Sequence, residues 1–181
     1  MIESRPRDTI SQRGKLIPMM IPEICGWIEN TPVATAIRQS TWLFPAIETV
    51  HVLATVIVVG SVTMLDLRLL NLAWRDYSIG EIHEDVLPWS WTSFAVAAIA
   101  GSLLFSSSAT KYYHNVPFRI KMVLLLLVGI NAAVFELGTY RRVQNSREQT
   151  QIPALAKMAG ALGLLLWIAV VACGRWIGFT K

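Results

Sequence analysis

The sequence predicts an all-α integral membrane protein, a four-helix bundle with an N-terminal interfacial helix. Hydrophobic residues make up 54% of the 181 residues and charged residues only 15%, whereas soluble domains contain about 45–50% and about 25%. Four stretches are long and apolar enough to cross a bilayer, for which a helix needs about 20 residues. Short polar segments separate these stretches, and helices joined by short loops are antiparallel neighbours, which favours a bundle.

The chain before the first span divides into two segments. Residues 1–15 are polar and mixed in charge, and the apolar stretch that follows is short and interrupted by prolines, so we expect a disordered leader at 1–21. Residues 22–40 mix apolar and polar side chains at helical spacing. In that segment Trp27, Glu29 and Arg38 suit an amphipathic helix that lies in the membrane interface.

Four predicted spans make up the rest of the chain. They lie at about 42–66, 88–110, 117–140 and 153–174, within a four-helix domain at 41–178. Trp89 and Trp91 suit anchors at the interface, and Pro117 opens the third span at a position that proline tolerates. We expect the first helix to continue through residues 66–76 into water, and residues 77–86 to form a polar, acidic loop.

The net charge of +4 does not indicate a nucleic-acid partner. The basic residues lie in the leader, the loops and the helix ends, and they do not form the basic face interleaved with aromatics that nucleic-acid binding requires. No nucleophile elbow, zinc motif or phosphate loop is present, so hydrolytic chemistry is not expected. Cys25 and Cys173 are far apart, and we interpret them as small apolar residues.

Ionisable side chains inside the first span are the most informative feature. Glu48 and His51 are three residues apart and share a face of the helix, and His51 lies about 13 Å along the span. Ionisable groups at this depth are costly, face the bundle interior and mark functional sites. Because the third span is parallel to the first, Arg119, Lys121 and the turn residue His114 lie toward the same membrane side.

One interpretation of this group is a haem b site. A transmembrane haem needs an axial imidazole, aromatic and aliphatic walls, and cations for its propionates. The expected cofactor-binding residues are His51, Glu48, Arg119, Lys121, Asn131 and Tyr113, with His51 and His114 as metal ligands and Phe44, Phe105 and Tyr112 as further walls. His114 is the second imidazole on that side, but because it lies in a turn, a loop histidine is an equally good interpretation.

Other interpretations stay open. Glu48 and Lys121 can form a buried ion pair that fixes the helix register, with His51 hydrogen-bonded to a backbone carbonyl. A dinuclear metal site needs two Glu-x-x-His motifs and two more glutamates, but the chain has one motif, and Glu136 lies near the opposite side. His83, on that opposite side between acidic neighbours, is interpreted as a solvated loop histidine.

Small residues recur on the second and fourth spans. Ser93, Ala97 and Gly101 are spaced four residues apart, and this spacing permits close approach of helices. The same interpretation applies to Gly160 and Gly163. The sequence leaves open whether these faces pack inside the bundle or against another subunit.

Several stretches resemble an uncharacterised bacterial family of four-helix membrane proteins, over about residues 23–177. They are TWLFPAIETVH (41–51), DLRLL (66–70), PWSW (88–91), YYHNVPFRIK (112–121) and GRWI (174–177). More remotely, the chain resembles copper-resistance D type membrane proteins and haem-dependent membrane protoporphyrinogen oxidases. Those families share a first-span histidine and a third-span lysine, matched here by His51 and Lys121, so the resemblance implies haem b or copper.

The leading hypothesis is therefore a haem b protein of the bacterial inner membrane that transfers electrons, with the quinone pool as one partner. One alternative is a non-catalytic subunit that packs in a homo-oligomer or a larger complex. Another is copper transport or handling, although the methionines, whose thioethers can hold cuprous ions, form no paired motif along a span. With the leader left out of the count and Arg119 and Lys121 assigned to the site, basic residues number four against six on the two sides, which favours periplasmic termini.

Overall fold

The computed structural model describes residues 21–140 and 152–180. Its helices are α1 (21–29), α2 (Pro32–Gln39), α3 (Leu43–Leu69), α4 (Ile79–Ser107), α5 (Ala109–His114), α6 (Val116–Val134), a π-helix (Phe135–Tyr140) and α7 (Ala154–Ile177). The described residues contain no strand. Residues 1–20 of the predicted leader and residues 141–151 of the loop before the fourth span lie outside the described residues.

Four of the helices are long and apolar enough to cross a membrane. They are α3, α4, α7 and the stretch Val116–Gly138, which joins α6 to the first turn of the π-helix. Large apolar side chains such as Leu53, Leu126 and Leu165 are exposed on their outer faces, as expected where lipid is the solvent. The predicted fold class, an all-α membrane helical bundle, is confirmed.

The second span begins nine residues before the predicted position, at Ile79 rather than Pro88. A capping box starts the helix: the Ser78 hydroxyl accepts from the Glu81 N–H at 3.1 Å, and the Glu81 carboxylate accepts from the Ser78 N–H at 2.8 Å. These two bonds satisfy N–H groups that the first turn leaves without partners. The prediction of an acidic loop at 77–86 is therefore wrong over most of its length.

The prediction that the first helix runs through residues 66–76 into water is also wrong. Helix α3 ends at Leu69, and both Asp66 and Arg68 are buried. The Arg68 guanidinium donates from Nε to the carbonyl of Tyr77 at 2.8 Å. This bond ties the connection between α3 and α4 back onto the end of α3.

The predicted interfacial helix at 22–40 is divided into two short helices. Helix α1 ends at residue 29, and Thr31 caps α2 by accepting the Ala34 N–H at 3.3 Å on its hydroxyl. The Glu29 carboxylate accepts the N–H of Thr110 at 2.8 Å. The bond between Glu29 and Thr110 holds the end of α1 against the start of α5.

The spans form a bundle with one open seam. Helix α3 packs along α4 and α7, and α6 packs along α7, whereas no Cα atoms of α4 and α6 approach within 8 Å of each other. Side chains bridge this seam near its two ends: the Phe105 and Phe118 rings stack with centroids 5.4 Å apart, and His83 contacts Glu136.

We name the two ends of the bundle after His51 and Asp66, two polar residues of α3 that lie toward opposite ends of this helix. The His51 end contains the start of α3, the end of α4, α5, the start of α6 and the end of α7. The Asp66 end contains the end of α3, the start of α4, the π-helix and the start of α7. The membrane-spanning part of the chain thus has one group of polar side chains at each end.

The small-residue faces pack inside the bundle. Ser93 and Ala97 are buried, and Gly101 lies against the ring of His51, so this face of α4 packs on α3. Gly160 and Gly163 of α7 also pack on α3, in this case at Asp66. The question that the sequence left open is resolved in favour of internal packing.

Candidate functional site

His51 lies inside the first span, and its ring is turned toward α4. Its Nδ1 atom is 2.8 Å from the carbonyl oxygen of Ala97. Because a carbonyl oxygen only accepts, this bond assigns the ring proton to Nδ1 and leaves Nε2 with an unprotonated lone pair in the neutral imidazole. Within residues 21–140 and 152–180, no donor is hydrogen-bonded to Nε2.

Gly101 makes this position of the ring sterically accessible. A Cβ atom on Gly101 would lie 3.0 Å from Cε1 of His51 and 3.3 Å from Nδ1. Both distances are shorter than ordinary van der Waals contact, so any larger residue would force the ring away from α4. Ala97 and Gly101 are one helical turn apart, and together they supply the acceptor and the space.

Lys121 belongs to the same end of the bundle. Its half-buried side chain extends from α6 toward α7, where Nζ lies 3.5 Å from the position that a Cβ on Gly174 would take. Glu48 lies three residues before His51 on α3, so the structure places three of the predicted cofactor-binding residues, His51, Glu48 and Lys121, at the same end of the bundle.

The ion-pair interpretation does not hold for this group. Glu48 and Lys121 are both among the described residues, and no nitrogen–oxygen pair between them lies within 4.0 Å. Glu48 is also exposed on the surface of the protein. The other half of that interpretation, the hydrogen bond from His51 to a backbone carbonyl, is present.

An aromatic cluster closes the seam at the His51 end. The rings of Phe105, Tyr112 and Phe118 have centroids 5.4 to 6.2 Å apart. Burial raises the pKa of Tyr112 above its ordinary value, and the negative charge of Glu48 raises it further. The phenol therefore stays protonated at neutral pH, and the cluster lies within the electrostatic range of Glu48.

Three predicted residues lie at the same end without joining this group. Arg119 and His114 are exposed, and the ring of Tyr113 contacts His114 edge-on with centroids 5.2 Å apart. The rings of His114 and His51 do not contact each other. The structure therefore does not place a second imidazole beside His51.

Asn131 lies farther along α6. Its side-chain amide donates to the carbonyl of Ala159 on α7 at 3.1 Å. Asn131 is ten residues beyond Lys121, about 15 Å along the helix. It joins two helices near the Asp66 end and does not contribute to the His51 group.

His83 is not the solvated loop histidine that the sequence suggested. It lies in the second turn of α4 and is only 5% exposed. Its Nε2 is 2.9 Å from Oε2 of Glu136, and its ring stacks on Tyr140 with centroids 3.9 Å apart and planes 23° apart. These contacts bridge the open seam at the Asp66 end.

Sequence reasoning missed His83 because it treated the residues around it as a loop. The signal was present in the capping box of Ser78 and Glu81, which starts α4 early enough to place His83 on the same face as buried Ile79. Burial raises the pKa of Tyr140, and the negative charges of Glu84 and Glu136 raise it further.

A dinuclear metal centre finds no support in the described ranges. The described residues, including those at the two polar ends of the bundle, contain no group of three or more His, Cys, Asp or Glu side chains that could hold a metal ion. Nε2 of His51 carries a lone pair that could bind a metal ion.

Comparison with known proteins places the chain in one family. Residues 40–180 match the family of unknown function DUF6644, and the chain belongs to that family. The matched range contains the four spans and α5, and both polar ends of the bundle, whereas α1 and α2 precede it. No curated protein and no solved structure matches the chain.

Proposed function

We propose that this member of the DUF6644 family is a membrane haem b protein that takes part in electron transfer, in which His51 would hold the haem iron. One observation carries the proposal: His51 donates from Nδ1 to the carbonyl of Ala97 at 2.8 Å, and Nε2 keeps its lone pair. Histidines that bind metals almost always donate their other ring N–H to a carbonyl or carboxylate, because this bond fixes the tautomer and the ring orientation.

The surroundings of His51 suit such a group. Arg119 and Lys121 are cations at the same end of the bundle, where they would neutralise propionates, and Phe105 and Tyr112 offer aromatic surface. A bound haem b would supply one-electron redox chemistry. The chain itself would provide the imidazole ligand, hold its orientation through Ala97 and Gly101, and balance negative charge.

The remote resemblance to copper-resistance D type proteins and haem-dependent protoporphyrinogen oxidases supports the same assignment at His51 and Lys121.

We further propose a location in the bacterial inner membrane with periplasmic termini, and the quinone pool as one electron partner. The balance of basic residues between the two sides supports the orientation. Because His114 is exposed and does not contact His51, the proposal assigns one protein imidazole.

The test is a visible spectrum of the full chain purified in mild detergent from haem-supplied cells. We expect a Soret band and a pyridine haemochrome spectrum of haem b, lost in His51→Ala and kept in the matched control His114→Ala. Size-exclusion elution and helical circular dichroism show whether each variant is folded. Folded wild-type protein without haem would overturn the proposal, as would His51→Ala protein that retains haem. Metal analysis of the same sample shows whether copper is bound instead.

A second candidate function is a non-catalytic subunit of a homo-oligomer or larger complex. The observation that favours it is an exposed stripe on α4, where Ala98 and Ser102 are one turn apart beside the buried face that contacts α3. Small residues at this interval permit close approach of a further helix. Native mass spectrometry tests it: a monomer in wild-type protein, or an oligomer unchanged by Ser102→Leu, contradicts the role of this stripe.

A further inference from the structure

A second ionisable group lies inside the bundle, and the proposed function does not use it. Asp66 is three residues before the last residue of α3 and is only 5% exposed. It lies 15 residues beyond His51, about 22 Å along the helix. Its Oδ2 atom is buried and has no hydrogen-bond partner among the described residues.

The carboxyl group of Asp66 packs on bare backbone of α7. A Cβ on Gly163 would lie 2.5 Å from Oδ2 of Asp66, and a Cβ on Gly160 would lie 2.9 Å from its carbonyl oxygen. The two glycines are three residues apart and face α3 on the same side of α7. They give the carboxyl space but no side-chain donor, so the pocket accommodates the group without stabilising a negative charge.

Arg68 does not compensate Asp66, although the two are close in sequence. Residues two apart on a helix do not face each other, and Arg68 is directed to the connection with α4, where its Nε donates to the carbonyl of Tyr77 at 2.8 Å. No nitrogen–oxygen pair between Asp66 and Arg68 lies within 4.0 Å.

Other charged groups near this end are also engaged elsewhere or solvated. On α7, Lys157 is exposed. On α4 and the π-helix, the titratable groups are Glu81, His83, Glu84, Asp85, Glu136 and Tyr140. His83 is bonded to Glu136, and Glu81, Glu84 and Asp85 are exposed. In the part of the chain that the structure describes, no lysine, arginine or histidine nitrogen lies within 4.0 Å of the Asp66 carboxylate.

We propose that Asp66 is a proton-binding site inside the membrane domain, which exchanges protons with the water at the Asp66 end. Among the described residues an ionised carboxylate in this pocket has neither a paired cation nor a hydrogen-bond donor to Oδ2, and such a charge is costly away from water. Uptake of one proton by a carboxylate oxygen gives the neutral acid, with no electrons transferred. Asn71 and Leu72 follow the end of α3 and are exposed, so water at this end of the span would lie within about two helical turns of the carboxyl.

A metal ion is a poor alternative occupant. Calcium takes six to eight oxygen ligands, and magnesium demands octahedral coordination, whereas the described residues offer no group of three carboxylate, histidine or cysteine side chains at Asp66. A proton needs one oxygen. The site also needs no cofactor, so it stands or falls independently of haem at His51.

Carbodiimide labelling tests the proposal on the full chain in detergent or vesicles. Dicyclohexylcarbodiimide adds as a whole molecule to a protonated, membrane-buried carboxylic acid, whose proton passes to the reagent nitrogen, and an ionised carboxylate does not react. We expect peptide mass spectrometry to find the adduct at Asp66, with a yield that falls as the pH rises. The matched control Glu136→Gln should keep the adduct, and Asp66→Asn should lose it.

Infrared spectroscopy of wild-type protein gives a second readout that does not depend on whether a variant folds. We expect the C=O stretching band of a protonated carboxyl group, lost at high pH and shifted in heavy water. Absence of both the adduct and the band between about pH 5 and pH 9 overturns the proposal, as does an adduct confined to other acids. If sodium ions remove the band at constant pH, the site binds a metal cation rather than only a proton, which contradicts the proposal.

Discussion

The two ends of α3 hold ionisable side chains in opposite ways. At one end the His51 ring has a hydrogen-bond partner at 2.8 Å and lies in the field of Lys121 and Glu48. At the other end Asp66 is more deeply buried and its Oδ2 has no partner among the described residues. The first arrangement fixes a lone pair for a ligand, and the second favours a neutral acid, so one helix supplies two different chemistries.

The two ends share one structural device, a glycine on the neighbouring helix. His51 faces Gly101, and Asp66 faces Gly163. Glycines in membrane helices are usually explained by close approach of two backbones. Here the missing side chains also leave room for a polar group, which explains how costly residues fit inside a narrow bundle.

The largest effect is expected from Gly163→Ala. Its new Cβ would lie 2.5 Å from Oδ2 of Asp66 and 3.0 Å from Cγ, so the carboxyl must move or the helices must separate. Overpacking of this kind costs about 1–3 kcal/mol. Thermal unfolding in detergent, followed by circular dichroism, measures the loss of stability.

The matched control for that substitution is Gly129→Ala on α6, where a Cβ would meet nothing within 4 Å. This variant gains helix propensity without a clash, so we expect it to be neutral or stabilised by up to about 1 kcal/mol. If Gly163→Ala behaves like Gly129→Ala, Asp66 is not confined as the structure describes.

The second largest effect is expected from Gly101→Ala. A Cβ at 3.0 Å from Cε1 of His51 pushes the ring from α4 and breaks its bond to Ala97, for a cost of about 1–2 kcal/mol. Haem-loaded protein should show a shifted Soret band and weaker retention of haem. Gly60→Ala on α3, where a Cβ meets nothing within 4 Å, is the control.

These glycine variants also test whether the two ends of the bundle act independently. Gly101→Ala should leave carbodiimide labelling of Asp66 unchanged, and Gly163→Ala should leave the Soret band unchanged, because about 22 Å of helix lies between His51 and Asp66. If each variant moved both readouts, the two ends would behave as one site.

Only part of the arrangement at the His51 end was predictable from the sequence. A period of 3.6 residues places Glu48 and His51 on one face, and the number of spans places Lys121 at the same end. The hydrogen bond to Ala97 was beyond such reasoning, because it depends on which helix α3 faces at that level. The grouping of residues follows from local spacing, whereas their partners follow from packing.

The Asp66 end was predicted poorly for a related reason. A charged stretch at the end of an apolar helix indicates exit into water, and at Asp66 that rule failed because Gly160 and Gly163, more than ninety residues later, create the space for it. At His83 the error was local, since the capping box of Ser78 and Glu81 was readable.

A smaller effect is expected from breaking the bond between His83 and Glu136. His83→Phe keeps an aromatic ring to stack on Tyr140 but removes the 2.9 Å contact with Glu136, for a cost of about 1 kcal/mol. Unfolding free energies of His83→Phe, Glu136→Gln and the double variant form a cycle. Additive effects would show that the two side chains are not coupled across the seam.

The smallest effect concerns Tyr112 and Glu48. Because burial is the larger cause of the raised pKa of Tyr112 and Glu48 the smaller, Glu48→Gln should lower that pKa only in part. A negative charge disfavours the phenolate, and removing it makes deprotonation easier, so the tyrosinate absorbance should appear at lower pH than in the wild type but still above the range of a free tyrosine. Tyr112→Phe identifies the contribution of this residue to the titration. A titration curve unchanged by Glu48→Gln would show that Glu48 does not face the aromatic cluster. Lys121 would then be the main charge that sets the electrostatic potential at the His51 end.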